Sequence, residues 1–236
     1  MAEDELDELL AEQIAYYRAR AAEYDATYPL DEGADAETRA RLLAALEALA
    51  PYGRVLELAC GTGQWTVELA RHASALTAVD SSREVLAICR RRLDAPNIRL
   101  VEADLFSWRP RESYDLVFFS AWLSHVPPKR FDALWALVAD CLAPGGRVFV
   151  IDELPSVAAL EHPAGGQPAP TVRRRLTTGE SYRAVKVLYE PDDLRARLAA
   201  LDWDAQVRKV SWRFFCATAR RLSPSGAVGV AMRQDR

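Results

Sequence analysis

The sequence has few residues of the types that build disulfides or metal sites. It contains three histidines and four cysteines, and the cysteines form no C-x-x-C pair. Each cysteine lies in or beside a predicted apolar element, so we expect buried, reduced thiols. We therefore predict neither a disulfide framework nor a bound metal. The four cysteines are Cys60, Cys89, Cys141 and Cys216.

Long apolar runs and an excess of basic residues are also missing. No run approaches the roughly 20 apolar residues that a membrane-spanning helix needs. The acidic start, Met1–Glu5, differs from a secretory or transit peptide, so we expect a cytoplasmic protein without a membrane partner. The net charge of −4 gives no general attraction for nucleic acid, and we predict no nucleic-acid partner.

Length and composition are typical of one globular domain, with 236 residues, of which 50% are hydrophobic and 27% charged. We predict a single domain over residues 1–220. It comprises N-terminal helices that act as a lid (1–50), a core of alternating strands and helices (53–153) and a substrate-side insertion (154–190). Residues 221–236 are expected to form a flexible tail.

Apolar periodicity and turn residues predict the elements around this core. One acidic helix is predicted near Glu3–Glu12, and a second carries the stripe Leu42, Leu43, Leu46 and Leu49. Further helices are predicted over 82–93, over 128–142 and from Pro191. An irregular loop over 155–170 precedes strands over 182–189, 203–210 and 212–219.

The most informative pattern is a buried strand, a glycine turn, a helix start and a second strand that ends in an acid. The residues that form this pattern are Val55–Gln64 and Ala75–Asp80. Glycine lets backbone amides approach a ligand closely, and the helix N-terminus adds partial positive charge. The terminal acid can accept both hydroxyls of a ribose. The pattern therefore indicates a nucleoside-binding α/β unit.

Two nucleoside cofactors fit such a unit. A dinucleotide-binding turn requires a third glycine, and Thr66 occupies that position, which disfavours a nicotinamide-dependent oxidoreductase. The same segment resembles the first motif of class I S-adenosylmethionine-dependent methyltransferases of the small-molecule type. Glu57, Gly61 and Gly63 match that motif, and Ala59 replaces its first glycine.

The resemblance continues in order from Gly53 to Glu153. Asp80 matches the family's ribose-binding acid, and Asn97–Leu105 resembles the third strand, with Asp104 at the position that meets adenine. Tyr114–Ser120 resembles the fourth strand, which borders the reactive methyl group. Leu142-Ala143-Pro144-Gly145-Gly146 resembles the turn that enters strand five.

This resemblance implies a Rossmann-like α/β fold with a seven-stranded, mostly parallel sheet, helices on both faces, an N-terminal helical lid and an insertion after strand five. It also implies methyl transfer from S-adenosylmethionine to a small-molecule acceptor, at oxygen, nitrogen or carbon, by direct displacement in a closed pocket. The implied cofactor-binding residues are Tyr17, Arg20, Glu57, Ala59, Gly61, Gly63, Asp80, Ser81, Asp104, Leu105 and Ser120.

His125 is the candidate catalytic residue, because it directly follows the strand that borders the reactive methyl group. An imidazole with a pKa near ~6.5 can take a proton from a hydroxyl or ammonium nucleophile. The structural alternative is that His125 braces the turn before the helix that starts at Pro128. Tyr17 has a similar alternative, as an amphipathic tyrosine on a surface helix.

The candidate substrate residues are Tyr16, Trp122, Asp152 and Tyr182. Asp152 and the adjacent Glu153 end strand five, where they either bind a substrate cation or satisfy backbone amides. Tyr182 shares a strand face with Lys186. The run Arg173, Arg174 and Arg175 is interpreted either as a solvated face or as a site for an anionic substrate. A macromolecule methyltransferase and a non-catalytic cofactor-binding protein remain alternatives, and the sequence identifies neither the acceptor nor the oligomeric state.

Overall fold

The computed structural model describes residues 3–27, 33–50, 52–164 and 169–222. Its strands are β1 Gly53–Leu58, β2 Ala73–Asp80, β3 Ile98–Glu102, β4 Tyr114–Ser120, β5 Leu142–Glu153, β6 Thr171–Arg175, β7 Ser181–Val185, β8 Trp203–Lys209 and β9 Phe214–Arg221. Seven strands form one sheet in the order β3-β2-β1-β4-β5-β9-β8, and β6 and β7 form a separate antiparallel hairpin. The first five strands are parallel to one another, and β9 runs antiparallel to both of its neighbours. The predicted seven-stranded, mostly parallel sheet is confirmed.

The helices are α1 Glu3–Arg20, α2 Tyr24–Thr27, α3 Gly33–Glu47, α4 Thr66–Ala70, α5 Arg83–Arg92, α6 Phe131–Cys141 and α7 Pro191–Ala199. Short 3₁₀ turns cover Ala21–Glu23, Leu123–His125, Pro128–Arg130 and Pro155–Leu160. The helix predicted over 128–142 thus begins with a 3₁₀ turn, and the residue after α6 already belongs to β5. None of the helices in the described part of the chain has the length and apolar character needed to cross a membrane.

The centre of the sheet is covered on both faces. Val117 and Phe119 of β4 pack in one apolar cluster with Trp135 of α6, whereas Phe118 packs on the other face with Leu42 of α3. All five side chains are buried. A parallel strand covered by helices on both faces is expected to be apolar at successive positions, as β4 is. The predicted helices on both faces are confirmed.

The glycine turn after β1 depends on close packing against α5. Gly63 has φ +86, and a Cβ built on it would lie 2.6 Å from Sγ of Cys89. Gly63 is therefore required by the contact between the turn and α5. Cys89 and the other three cysteines are buried and free, as expected.

The insertion contains more regular structure than the sequence predicts. Arg173–Arg175, one of whose interpretations is a solvated charge run, belongs to strand β6. The strand predicted over 182–189 ends at Val185, because the amide of Val187 bonds to the carbonyl of Ser124, at 2.7 Å. The part of the predicted loop at 165–168 lies outside the described residues. Of the predicted tail, residues 223–236 also lie outside them, and Arg221 is still part of β9.

α1 is longer than predicted and packs against the hairpin. Glu12 accepts hydrogen bonds from the backbone amide and the Nε of Arg183, at 2.5 and 2.8 Å. Gln13 Oε1 accepts one from the amide of Val185, at 2.9 Å. These contacts join the N-terminal helix to the insertion at the carboxyl ends of the sheet strands.

Candidate functional site

A cavity of about 450 Å³ lies beneath α1 at the carboxyl ends of β1 to β4. Parallel α/β sheets bind ligands at this edge, where the strand order reverses. The volume lies within the range of roughly 300–1,000 Å³ that is usual for small-molecule sites. Ten of the residues predicted from sequence line the cavity: Tyr17, Ala59, Gly61, Asp80, Ser81, Asp104, Leu105, Ser120, Trp122 and His125.

Two lining residues have strained backbone. Ala59, directly after β1, has φ +53, and Ala121, directly after β4, has φ +49. A residue with a Cβ pays roughly 1–3 kcal/mol for such a conformation, and this strain concentrates at functional sites. Ala59 stands where the methyltransferase motif usually has glycine, and its positive φ explains that preference.

Gly61 and Asp80 form the floor of the cavity. The amide of Gly61 donates to Asp80 Oδ2 and the amide of Ser82 donates to Oδ1, both at 2.9 Å. Burial raises the pKa of Asp80, and these amide hydrogen bonds oppose the rise. A Cβ built on Gly61 meets no protein atom within 4 Å, so it would occupy the space that a ligand needs. The carboxylate retains lone pairs that can accept ligand hydroxyls.

A second carboxylate lies at the far end of the cavity. Asp104 follows β3 and accepts a hydrogen bond from the amide of Phe106, at 3.1 Å. The guanidinium of Arg130 lies 5.8 Å from the ring centroid of Phe106 and donates to Asp7 of α1, at 3.0 Å. This end of the cavity therefore combines an acid, an aromatic ring and a contact that closes α1 over it.

Tyr17 and His125 form a hydrogen-bonded pair at the opposite end. The Tyr17 hydroxyl lies 2.8 Å from His125 Nε2, and His125 Nδ1 lies 2.7 Å from the carbonyl oxygen of Val185. Burial lowers the pKa of His125 well below its ordinary value, and the charges of Lys186, Arg174 and Arg20 lower it further. Burial also raises the pKa of Tyr17 well above 10. Both side chains are therefore neutral near pH 7.

The three cations that act on His125 are held by different partners. Lys186 Nζ contacts Glu153 Oε2 at 2.5 Å and Ser124 Oγ at 3.1 Å. Arg174 pairs with both carboxylate oxygens of Glu161, at 2.6 and 2.9 Å. Lys186 and Arg174 both belong to the insertion after β5.

Arg20, the third cation, comes from α1. Its guanidinium lies 4.6 Å from the ring centroid of Tyr24, which lines the cavity, and 5.7 Å from that of Tyr16. The three cations thus lie close to His125 but outside the cavity lining, and two of them are paired with Glu153 and Glu161.

Six residues predicted from sequence lie outside the cavity lining: Tyr16, Arg20, Glu57, Gly63, Asp152 and Tyr182. Glu57 is 2% exposed, and burial raises its pKa well above the ordinary value. Its Oε2 finds no partner among the described residues. The rings of Tyr16 and Tyr182 contact each other, with centroids 5.8 Å apart.

Asp152 serves the second of its two predicted roles, because its oxygens accept the amides of Ser124 and Glu153, at 2.9 and 2.7 Å. The geometry gives no support to its proposed contact with a substrate cation.

The sequence interpretation missed the residues of α1 that form the roof, and also Tyr24, Phe106, Ala121 and Arg130. Leu10 and Ile14 of α1 line the cavity four residues apart, one helical turn. This spacing is a signal for a buried helix face, although it does not identify what the face covers.

The comparisons with known proteins agree with this geometry. A family model described as "Methyltransferase domain" matches residues 55–146. Trans-aconitate 2-methyltransferase of Rhizobium leguminosarum bv. trifolii (strain WSM2304) is 37% identical over 157 residues, which span 60% of this chain and 59% of that protein. The protein of the same name from Methylobacterium nodulans (strain LMG 21967 / CNCM I-2342 / ORS 2060) is 36% identical over 178 residues, covering 69% of this chain and 67% of that protein.

A solved structure described as "DhpI-SAM-HEP complex" is 40% identical, with a TM-score of 0.80, and covers 90% of this chain and 97% of that chain. The residues present here fit S-adenosylmethionine, because Asp80 and Asp104 can accept hydrogen bonds from its nucleoside and Gly61 leaves the space open. Fold, cavity and relatives agree, and the chain belongs to the class I S-adenosylmethionine-dependent methyltransferases.

Proposed function

We propose that this protein transfers the methyl group of S-adenosylmethionine to an ionised oxygen of a small acid. The observation that carries the proposal is the group of three cations, Arg20, Arg174 and Lys186, which lie behind the cavity wall beside the lining residue His125. When bound, S-adenosylmethionine supplies an electrophilic methyl group on a sulfonium. The acceptor must present a lone pair to it, either after losing a proton to the protein or because it is already ionised.

The residues near His125 favour an acceptor that is already ionised. Both ring nitrogens of His125 have partners within the protein, and three nearby cations disfavour the imidazolium that proton uptake would create. Asp152 is occupied by backbone amides, and Glu153 by Lys186 and Arg213. A general-base role for His125 stays a prediction, and any proton reaching it from the cavity would pass through Tyr17.

The same cations favour an anionic acceptor, because positive charge in a partly buried site attracts and orients oxyanions. The relatives point in the same direction, since two of them are named for methyl transfer to trans-aconitate. The cavity volume of about 450 Å³ has to hold cofactor and acceptor together, which supports a small acceptor over a macromolecule.

The test is a screen of small carboxylates, organophosphonates, phenols and amines, in which release of S-adenosylhomocysteine is measured. We expect turnover with acids only. For carboxylates the rate should be nearly constant between about pH 6 and 9, because neither a carboxylate nor His125 titrates there. Turnover restricted to amines or phenols, with a rate that rises through the pKa of imidazole, would support the general-base alternative instead.

A matched pair of variants tests the role of the Arg174 charge. Arg174→Gln removes one of the charges near His125 and should reduce kcat/KM for the acid roughly ten- to a hundredfold, the effect of losing about 1.4–2.7 kcal/mol of attraction, with little change in cofactor affinity. Arg173→Gln removes the neighbouring charge from the exposed face of β6 and should behave as wild type. Equal effects of the two substitutions would count against a specific role for Arg174.

A further inference from the structure

The seven-stranded sheet ends at β8, which pairs with β9 on one side only. At the two ends of this pairing, the carbonyl of Asp202 accepts from the amide of Leu222, at 2.8 Å, and the amide of Val210 donates to the carbonyl of Phe214, at 2.9 Å. The backbone groups of successive residues in a strand point to alternate edges, so the even-numbered residues of β8 bond to β9. The odd-numbered residues direct their amides and carbonyls away from the sheet: Trp203, Ala205, Val207 and Lys209.

This outer edge of β8 is regular and open. Within the described part of the chain its outward backbone groups pair with no other strand or loop. The strand has seven residues, contains no proline and pairs with β9 without a shift of register. Natural proteins usually protect an open edge with proline, a bulge or charges that repel another strand. A straight edge of this length is therefore able to accept a further strand.

The charges on β8 are arranged so that a second copy of the strand fits it. Asp204, Gln206 and Arg208 are exposed on one face, and in the described residues neither charged side chain forms a salt bridge. If two copies of β8 pair antiparallel about Gln206, Asp204 of each copy lies directly opposite Arg208 of the other. Opposite charges at facing positions stabilise a sheet, and like charges destabilise it. The edge thus carries charges that attract a second copy of itself.

The same register also satisfies the backbone and the apolar face. With Gln206 on the two-fold axis, Ala205 faces Val207 of the second copy, and Trp203 faces Lys209. These are the residues whose amides and carbonyls point outward, so they can pair with one another. Ala205 belongs to the main apolar cluster and Val207 packs against it. The pairing therefore continues this cluster across the axis.

The opposite edge of the sheet, β3, lacks these properties. Arg99 of β3 pairs with Glu112, at 2.9 Å, and Glu102 pairs with Arg83, at 3.4 Å. The charges of β3 are thus compensated within the chain, and the strand has only five residues. The self-complementary pattern is a property of β8 and not of both edges of the sheet.

We propose that two copies of this chain pair antiparallel through β8 and form a symmetric dimer with one continuous sheet. In such an interface the same surface is used by both copies. Because β9 is antiparallel to both β5 and β8, β8 runs parallel to the central strands. The strands of the second copy consequently point the opposite way, and the two cavities open at opposite edges of the joined sheet. Each copy should therefore bind the cofactor independently of the dimer.

Sedimentation velocity of the full chain measures the association. We expect a species of twice the chain mass of 26.3 kDa, which dissociates on dilution and at high ionic strength. Asp204→Arg or Arg208→Asp alone should weaken the dimer roughly ten- to a hundredfold, because symmetry places like charges opposite each other at two sites. The double variant exchanges the two charges and should return to within about threefold of wild type.

Arg111→Asp is the matched control for charge, because it reverses an exposed arginine outside β8 and should leave the dissociation constant unchanged. The single β8 variants should keep the melting temperature of wild type and its affinity for S-adenosylhomocysteine.

Gln206→Cys tests the register independently of charge. In the proposed dimer the two introduced thiols face each other in a non-hydrogen-bonded pair, where Cα atoms lie about 4.5 Å apart. Oxidised glutathione should therefore link the two copies by a disulfide, which a reductant reverses on a denaturing gel. Thr218→Cys is the control, because Thr218 lies beside Gln206 in β9 and its two copies are separated by about 14 Å.

A monomer at every concentration up to about 200 µM would overturn the inference. A dimer that neither charge reversal weakens would overturn it as well, because another surface would then hold the copies together. If a charge reversal unfolds the chain, the cross-link decides: linkage through position 206 and not through position 218 supports the proposed pairing, and any other pattern contradicts it.

Discussion

Asp25 accepts a hydrogen bond from the hydroxyl of Thr62, at 2.7 Å, and so joins the N-terminal segment to the glycine turn. The same carboxylate accepts from Gln64 Nε2 at 2.8 Å and from Arg92 at 2.6 Å. Although burial opposes it, these hydrogen bonds and the charge of Arg92 hold the pKa of Asp25 below its ordinary value. One side chain thus connects α2, the turn after β1 and α5.

Because α2 carries Tyr24 over the cavity, we expect Asp25→Ala to speed the dissociation of S-adenosylhomocysteine by roughly tenfold, the effect of losing about 1.4 kcal/mol of closing contacts. Stopped-flow displacement of the bound product measures this rate. Asp25→Asn, which can still accept from Thr62 and Gln64, should show a smaller effect. If Asp25→Ala lowers the melting temperature and leaves the dissociation rate unchanged, the residue is only structural.

Asp80→Ala should weaken S-adenosylmethionine and S-adenosylhomocysteine alike, because both carry the ribose. A hydrogen bond to an ionised group contributes about 1.5–3 kcal/mol, which corresponds to a loss of roughly ten- to a hundredfold in affinity. Isothermal titration of the two ligands provides the comparison. Weakening of only one ligand would assign Asp80 a different role.

Gly61 and Gly63 should respond differently to the same substitution. Both have positive φ, at +56 and +86, so an alanine at either position costs roughly 1–3 kcal/mol in backbone strain. The added methyl group enters open cavity at Gly61 but lies 2.6 Å from the Cys89 sulfur at Gly63.

We therefore expect Gly61→Ala to reduce cofactor affinity more than stability, and Gly63→Ala to reduce stability more than affinity. The larger Gly61→Arg substitution should obstruct the cofactor path in a folded protein. Paired thermal melts and titrations measure both effects, and unchanged affinity in a folded Gly61→Arg variant would contradict the assignment of the site.

His125 should make stability depend on pH. Its pKa is lowered in the folded state, so between that value and the unfolded value of about 6.5 the unfolded chain binds the extra proton. The stabilising contribution of neutral His125 to the folded state is fully present above about pH 6.5, and it is lost as the pH falls towards the folded pKa. The free energy of unfolding of wild type and of His125→Phe is measured with denaturant between pH 5 and 8. The difference between the two proteins should become smaller at the acidic end of this range. A difference that grows at acidic pH would mean that the folded protein stabilises the imidazolium.

The sequence predicts the cofactor end of the site because its signals are local. Buried runs mark β1 and β4, the glycines mark the turn, and an acid closes the second strand at Asp80. The argument against a dinucleotide cofactor also depended on one local residue, Thr66. Membership of the methyltransferase family confirms that the dinucleotide interpretation was rightly disfavoured.

The acceptor end could not be predicted in the same way, because distant contacts determine it. Arg174 turns inward from a run of three arginines to pair with Glu161, and β7 ends where Val187 bonds to Ser124. The roles of Tyr17 and His125 depend on each other across 108 positions of the chain. Residue type suggested both as candidates, whereas the hydrogen bond that connects them is visible only in the fold.

Gln13 has a consequence for the design of chimeric enzymes. Its side-chain amide connects the roof of the cavity to the segment after β4 and to the β6–β7 hairpin. Exchanging the hairpin alone between relatives, in order to alter the acceptor range, would leave this amide with a mismatched backbone. A transplant that carries α1 together with the hairpin preserves the connection, so these two pieces, far apart in the gene, form one exchangeable module.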